Sequence, residues 1–272
     1  MPAGKKIEHQ GIKVELVGQV GMFSAETLLN LIELEYLSDK SLHPFTSLTR
    51  ELEIAGTLTE DKTFDYEFAK MEKEFDTYDG AHARLRYFVR VKIIRGYGGT
   101  VTKEMDFKVE NYNDPPTENN PIKMEVGIED CLHIEFNYAK EKYWMDDVIL
   151  GTIDFRLVRI KIKYMELQLI RRETTGAGKD VLVDNDVCAK FEIMDGAPVR
   201  GESGFSSLLD SVGELVPIRL YLSPIKLHPS LTNVHNKFSV KHMLNLVLVD
   251  EEERRYFKQH EIQIMRKNPE TA

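Results

Sequence analysis

Apolar and polar residues alternate with a period of two along most of this chain, and this pattern constrains the fold more than any other feature. In residues 83–93 the apolar side chains occupy the odd positions, and basic side chains occupy most of the even ones. Residues 12–16, 124–138 and 238–248 show a similar alternation. Because successive side chains of a β-strand point to opposite faces of a sheet, the pattern predicts half-buried strands.

The basic face of the strand predicted at 83–93 has two interpretations. Four basic side chains on one face could bind an anion. A solvated face paired with acidic residues on neighbouring strands is the more common arrangement, and we favour it in a chain this acidic. The four residues are Arg84, Arg86, Arg90 and Lys92.

Many strands separated by polar turns predict an all-β fold made of antiparallel sandwiches. The segment 111–121, NYNDPPTENNP, is rich in proline and asparagine and is typical of a linker. A boundary near residue 122 predicts an N-terminal sandwich of residues 1–122 and a C-terminal sandwich of residues 123–272. In residues 153–170 the alternation changes phase, which predicts a bulge or a bend between two strands.

Two segments depart from the strand pattern. Residues 25–37 are rich in Leu and Glu, and their pattern leaves a short helix and a non-helical structure equally open. Residues 205–216 place six apolar side chains at helical spacing and predict an amphipathic helix, which Gly213 weakens.

Composition and charge narrow the class of partner. The chain of 272 residues has 36 Lys and Arg against 45 Asp and Glu, a formal net charge of −9. This charge disfavours nucleic acid as a partner and disfavours unaided binding to anionic lipid. Cys131 and Cys188 cannot form a disulfide framework, which favours a reducing compartment. Without a membrane-spanning apolar stretch or a secretory signal, we expect a soluble cytosolic protein.

No catalytic or metal-binding motif is complete in the sequence. In residues 176–180, Asp180 replaces the Ser or Thr of a phosphate-binding loop, and in residues 260–264, Ile264 replaces the second His of a zinc protease. Cys131 and His133 share a strand face, but a structural metal site needs two more ligands. We therefore expect no metal, no cofactor and no enzymatic activity, and interpret the chain as a binding scaffold that acts through edges and loops.

Two segments carry apolar residues where a binding surface is expected. Ile193 and Met194 directly precede the turn signal Asp195–Gly196, so we expect them at a loop tip, covered either by a partner or by their own domain. Residues 254–258, RRYFK, place aromatic residues between basic ones at the start of a predicted strand. If that strand lies at a sheet edge, its free backbone groups could add a peptide strand, with Phe257 packing on the peptide.

Four long segments resemble one known family. They are GIEDCLHIEF (127–136), LVRIKIKYMELQLI (157–170), FEIMDGAPVRGES (191–203) and LNLVLVDEEERRYFKQHEI (244–262). Together they are similar to the family of vacuolar protein sorting-associated protein 26, the arrestin-like subunit of retromer. The resemblance implies an arrestin-like fold of two antiparallel β-sandwiches joined by a short linker. It also implies a non-enzymatic subunit, peripheral on the cytosolic face of endosomes, which helps to recycle transmembrane cargo to the Golgi or the plasma membrane.

The resemblance implies a docking site for the α-solenoid subunit of retromer, vacuolar protein sorting-associated protein 35. In the family this loop carries an Ile-Met pair, and here the matching residues are Ile193, Met194, Asp195 and Gly196. The solenoid subunit is therefore the first expected partner.

The resemblance also implies a groove for cargo tails, shared with sorting nexins, at Val126, Tyr256 and Phe257. A PDZ contact known for one sorting nexin in animals would fall near Tyr112, where this sequence differs from the animal one. Membrane association would then be indirect, through these partners.

The sequence departs from the family pattern in three places. Family members carry further N-terminal strands before the segment that matches residues 4–7, and residues 21–49 are longer here than usual. Residues 204–215 form an insert, which would cover Ile193 and Met194, extend the interface or project freely. An adaptor of a related complex such as retriever is the alternative function, but the intact FEIMDGAPV segment favours retromer. An enzyme or a small-ligand carrier is a third class, for which the sequence supplies no catalytic set.

Overall fold

The computed structural model describes residues 6–23, 42–128, 131–176, 181–195 and 214–269, whose regular secondary structure consists of β-strands. The predicted all-β class is therefore confirmed for this part of the chain. The chain divides into two compact units, and the division after Asn111 falls at the start of the linker-like segment. The first unit comprises Met1–Asn111 with Val234–Phe238, and the second comprises Tyr112–Asn233 with Ser239–Ala272.

The described residues of the first unit form one antiparallel sheet of five strands. Its order is β2, β1, β4, β3, and β5 also pairs with β4. The central strand β1 pairs with β2 on one side and with β4 on the other over most of its length. The strands are β1 (Ile7–Met22), β2 (Leu42–Leu58), β3 (Tyr78–Asp79), β4 (Ala83–Ile94) and β5 (Thr100–Phe107).

The basic face of β4 forms ion pairs with acidic residues across the sheet. The Arg86 guanidinium lies 3.0 Å from the Glu104 carboxylate on β5, and Arg90 lies 2.7 Å from the same carboxylate. Lys92 lies 2.8 Å from Glu15 on β1. These cross-strand pairs confirm the interpretation of this face as a solvated surface with acidic partners.

An aromatic cluster packs on the first-unit sheet beside a glycine of β1. A side chain at Gly18 would approach the Phe45 ring to 2.6 Å, so the glycine leaves room for that ring. Phe45 packs edge-on against Tyr87, with ring centroids 5.7 Å apart, and stacks on His235 at 4.2 Å. The Tyr87 hydroxyl donates a hydrogen bond to the Phe75 carbonyl at 2.9 Å, and burial raises the pKa of Tyr87 to about 12. His235, which comes late in the sequence, is thus a half-buried member of this unit's aromatic cluster.

Two sheets are formed by the part of the second unit that the structure describes. The six-stranded sheet has the order β11, β10, β14, β15, β8, with β13 paired to β14, and the four-stranded sheet has the order β12, β9, β7, β6. The six strands are β8 (Lys142–Trp144), β10 (Ile162–Thr175), β11 (Leu182–Asp195), β13 (Leu231–Val234), β14 (Phe238–Asp250) and β15 (Arg255–Met265). The four strands are β6 (Ile122–Ile128), β7 (Leu132–Tyr138), β9 (Val148–Val158) and β12 (Glu214–Tyr221).

The core of the second unit draws on alternate residues of both sheets. These residues form one buried hydrophobic cluster, which makes the unit a β-sandwich. Each fully buried aliphatic or aromatic side chain contributes on the order of 1.5–3 kcal/mol to stability. Members with no exposed surface include Ile134, Phe136, Ile153 and Phe155 from the four-stranded sheet and Met165, Leu167, Leu169, Leu244 and Leu246 from the six-stranded sheet.

The departures from simple alternation have different outcomes. The bend predicted within 153–170 is confirmed, because β9 ends at Val158 and β10 begins at Ile162. The helix predicted at 205–216 is wrong at Leu215 and Val216, which pair with β9 as part of the strand β12. The rest of that helix, the insert up to residue 213, and residues 25–37 lie outside the described residues.

We predict that Gly151→Ala destabilises the second unit. An added Cβ would lie 2.6 Å from the Asn137 carbonyl oxygen, a backbone atom that cannot turn away. The expected loss in the free energy of unfolding is about 1–3 kcal/mol, measured by urea denaturation followed through the single tryptophan, Trp144.

The matched control is Gly127→Ala on β6 of the same sheet. Its added Cβ would meet its nearest atom, the Leu132 carbonyl oxygen, at an ordinary 3.6 Å. We expect it to be near neutral or slightly stabilising, since alanine has less freedom than glycine in the unfolded chain. Equal losses for both variants would contradict the packing described at Gly151.

Candidate partner-binding surfaces

Strand β15 presents an open edge in the described part of the chain. On one side its residues Arg255–Ile262 pair with β14. On the other side only Gln263–Met265 are paired, with the short parallel strand β8. An edge strand with free N–H and C=O groups can pair with an extended peptide. The prediction that RRYFK opens a strand is therefore confirmed, and that strand is available at its outer edge.

A buried carboxylate holds the turn that leads into this edge. The Asp250 side chain accepts hydrogen bonds at 2.9 Å from the backbone N–H groups of Glu252 and Arg254. It also accepts hydrogen bonds from the Arg254 guanidinium at 2.7 Å and from the Tyr256 hydroxyl at 3.0 Å. Burial alone would raise the pKa of Asp250, but the bonds from Arg254 and Tyr256 outweigh it and hold the pKa below its usual value. Asp250 thereby fixes the first residues of β15.

The three residues assigned to the cargo groove occupy different environments. Tyr256 is half-buried and packs against the core of the sandwich, whereas the next residue, Phe257, points to the opposite face and is 67% exposed. Val126 lies on β6, one of the two edge strands of the other sheet as described, and is also half-buried against the core. The groove beside Phe257 is lined by described residues of β10, β11, β14 and β15, and Val126 is not among them. The structure therefore places Tyr256 and Val126 against one core but does not join all three residues in one groove.

Ile193 and Met194 lie at the end of a strand and not at a loop tip. Met194 pairs with Met165 of β10, and Ile193 is the extra residue of a β-bulge, since the pairing continues at Glu166 and Glu192. Both side chains are half-buried and pack against the sandwich core. Asp195 is the last residue of β11. The expected loop tip is thus a half-covered apolar strand end.

Gly196, the fourth residue of the expected docking site, lies outside the described residues. Tyr112 lies in the second unit and is 51% exposed. Its neighbour Asn113 holds the chain by donating its backbone N–H to the Arg266 carbonyl at 2.9 Å. The Tyr112 side chain is thus presented on a fixed backbone.

The described residues hold no grouping of three or more His, Cys, Asp or Glu side chains that would bind a metal ion. Cys131 and Cys188 are free thiols. None of the described segments forms a helix of the length and apolarity needed to cross a membrane. What the described surface offers is an open strand edge, a half-covered apolar strand end and a groove on a sheet face.

Sequence reasoning missed two features of this unit. It missed the burial of Asp250, which an isolated Asp-Glu-Glu-Glu run does not signal. It also missed the groove beside Phe257, because its walls come from four strands whose register is set by tertiary structure.

We predict that Asp250→Asn lowers the midpoint of urea unfolding of the second unit, because it removes the charge that Arg254 pairs with. The folded-state pKa of Asp250 lies below the unfolded value, so this contribution is present in full above about pH 4 and is lost as the pH falls through the folded-state pKa. The difference in the midpoint of urea unfolding between parent and variant should therefore shrink below about pH 4.

The control is Glu251→Gln, the removal of an exposed carboxylate in the same turn, which pairs with Lys161 only at 3.5 Å. Exposed pairs of this kind contribute little to stability, so the midpoint should hardly move. Unfolding midpoints that fall equally in both variants would show that Asp250 is not the group that holds the turn.

Comparison with known proteins identifies relatives over nearly the whole chain. A family model for vacuolar protein sorting-associated protein 26 matches residues 1–253. A protein of that name from Dictyostelium discoideum is 53% identical over 97% of this chain and 68% of its own length. Vacuolar protein sorting-associated protein 26B from Arabidopsis thaliana is 51% identical over 97% of this chain and 78% of its own length. The human protein of the same name is 49% identical over 97% of this chain and 70% of its own length.

Proposed function

Because the chain belongs to the family of vacuolar protein sorting-associated protein 26, we propose that it is a non-enzymatic, arrestin-like subunit of the retromer cargo-recognition complex. Family membership itself gives the chain a role in retromer protein sorting. The observation that carries the finer proposal is the similarity over 97% of the chain, which includes the segment FEIMD at the end of β11. In this role the protein is peripheral on the cytosolic face of endosomes, held there by its partners.

The end of β11 is the proposed docking site for the solenoid subunit, vacuolar protein sorting-associated protein 35. Ile193 and Met194 supply apolar surface that their own core covers only in part. The bulge at Ile193 interrupts the regular pairing with β10 and sets the direction of these side chains. A half-covered apolar strand end gains most when a partner completes its burial.

We predict that Ile193→Asp abolishes this docking. A charge placed in a desolvated contact costs binding about 2–4 kcal/mol, a loss of about 1.5 to 3 orders of magnitude in affinity. Calorimetric titration with the solenoid subunit measures the loss, after circular dichroism has shown that the variant is folded.

Two further variants complete this test. Val183→Asp places the same charge on β11 at a side chain that is 53% exposed and distant from the strand end, and we expect it to bind as the parent does. Ile193→Ala keeps the proposal testable if the charged variant fails to fold, since it removes apolar contact without burying a charge. Parent-like affinity of folded Ile193→Ala and Ile193→Asp would overturn the docking site.

The open edge of β15 is the proposed site for cargo tails, shared with sorting nexins. Residues Arg255–Ile262 offer free backbone groups to an extended peptide, and Phe257 offers an exposed aromatic ring beside them. Tyr256 and Asp250 hold the start of the strand in place. Val126, on the other sheet, and Tyr112, the proposed PDZ contact, complete the set of residues assigned to cargo and sorting nexins.

We predict that Phe257→Ala weakens capture of a cargo-tail peptide about tenfold, as expected for a truncated aromatic contact, and leaves solenoid docking unchanged. Fluorescence anisotropy of a labelled tail peptide with the sorting nexin present measures the first effect, and calorimetry the second. Tyr97→Ala, which removes an aromatic side chain that is 98% exposed in the first unit, is the control. Unchanged peptide capture by folded Phe257→Ala would exclude the ring from the cargo site.

A further inference from the structure

The turn that follows β12 presents a serine directly before a proline. Residues 222–226 read Leu-Ser-Pro-Ile-Lys, and no other serine or threonine of the sequence precedes a proline. Leu222 has no exposed surface and Leu227 is also buried, whereas Ser223 and Pro224 between them are exposed. Two buried leucines therefore hold a short exposed apex at the surface of the second unit.

Backbone hydrogen bonds define this turn. The Leu222 N–H donates to the Asp147 carbonyl at 2.9 Å, and the Ile225 N–H donates to the Leu222 carbonyl at 2.9 Å. The Ile225 side chain is half-buried against the sandwich core. Extending the chain from Ser223 to Ile225 breaks the second of these bonds and leaves the first in place. Opening of this kind is local and does not disturb the pairing of the sheets.

The polar groups of the apex are free within the described part of the chain. The Ser223 hydroxyl forms no hydrogen bond with a described residue, and the Lys226 ammonium, three residues further on, forms no ion pair with one. A hydroxyl of this kind can react without the loss of a structural contact. The ammonium has three donors that an added anion can accept.

Proline after the serine selects for one class of protein kinase. Proline has no backbone N–H, so a kinase pocket without a hydrogen-bond acceptor accommodates it and leaves the N–H of any other residue unpaired. Proline-directed kinases make this selection, and the cyclin-dependent members of the class also favour a basic residue three positions after the serine. Pro224 and Lys226 supply both features.

We propose that Ser223 is a phosphorylation site for a proline-directed serine kinase. The Ser223 Oγ forms a bond to the γ-phosphorus of ATP, the bond from that phosphorus to the bridging oxygen breaks, and ADP leaves. The hydroxyl proton passes to the catalytic aspartate of the kinase. The phosphoserine carries a charge of about −1.5 to −2 at neutral pH, and a cation nearby favours it. Lys226 supplies that cation.

The added phosphate is compatible with the fold. It extends from an exposed apex, so no core side chain is displaced. Asp147, whose carbonyl anchors the turn, has its carboxylate paired with the Lys140 ammonium, which limits repulsion between the two anions. The site goes beyond the proposed function, because it needs neither the solenoid subunit nor a cargo tail.

The test is incubation of the folded chain with a purified cyclin-dependent kinase and ATP, followed by mass spectrometry of its proteolytic peptides. The reference substrate is a synthetic peptide of residues 217–231, which carries the same residues without the fold. We expect one phosphate, at Ser223. Because opening the turn breaks one backbone hydrogen bond, the folded chain should react no more than about tenfold more slowly than the peptide.

Variants of the chain and of the peptide then assign the reaction to this turn. Ser223→Ala should abolish it. Pro224→Ala should slow it about tenfold in both substrates, since it presents an unpaired N–H to the kinase. Lys226→Gln should slow it about two- to fivefold, as expected for the loss of an exposed ion pair. Lys123→Gln, which removes an exposed lysine on β6, is the control and should leave the rate unchanged.

Three results would overturn the proposal. The first is a folded chain that reacts more than about a hundredfold more slowly than the peptide, which would show that the turn shields Ser223. The second is the absence of reaction in both substrates. The third is equal modification of the parent and of Ser223→Ala, which would place the phosphate elsewhere. Because the reaction contains neither solenoid subunit nor cargo tail, its failure would leave the proposed function unaffected, and the reverse also holds.

Discussion

The packing of the six-stranded sheet against the four-stranded sheet is the interaction on which the second unit depends. Its core takes alternate residues from each strand, and many of these side chains have no exposed surface. A strand places its other side chains on the opposite face, where some remain exposed and others, such as Asn245 and Val247 of β14, are also buried. Phe257 is exposed on that opposite face, while Tyr256 beside it packs inward. Stability and recognition are therefore assigned to alternate positions of the same strands.

The places where regular pairing stops are the places proposed for binding. At β15 the outer edge is unpaired over Arg255–Ile262 in the described structure, and Asp250 fixes the turn before it. At the end of β11, the bulge at Ile193 breaks the pairing with β10 and leaves two apolar side chains half-covered. At both places the buried cluster of the sandwich holds the strand from its inner face.

Alternation predicted much of the fold because a strand that buries one face carries apolar residues at every second position of its sequence. Burial alternates as expected over residues 83–87 of β4 and 238–244 of β14, whereas the rest of β14 is buried on both faces. The change of phase near Val158 marks the break between β9 and β10. The helical spacing that ends at Val216 failed there because pairing with Ile153 of β9 outweighs a local pattern. Glu166 and Glu192 lie far apart in sequence and become neighbours only through the register of β10 and β11. That register could not be predicted from the sequence alone.

The end of β11 is the surface on which we propose that this subunit joins its complex. Hydrogen–deuterium exchange of the chain alone and of the chain saturated with the solenoid subunit tests this proposal most directly. We expect slower exchange around Ile193 and Met194, with the edge of β15 and the core strands β7 and β9 unchanged. Slower exchange confined to the first unit or to β15, with β11 unaffected, would contradict the proposal.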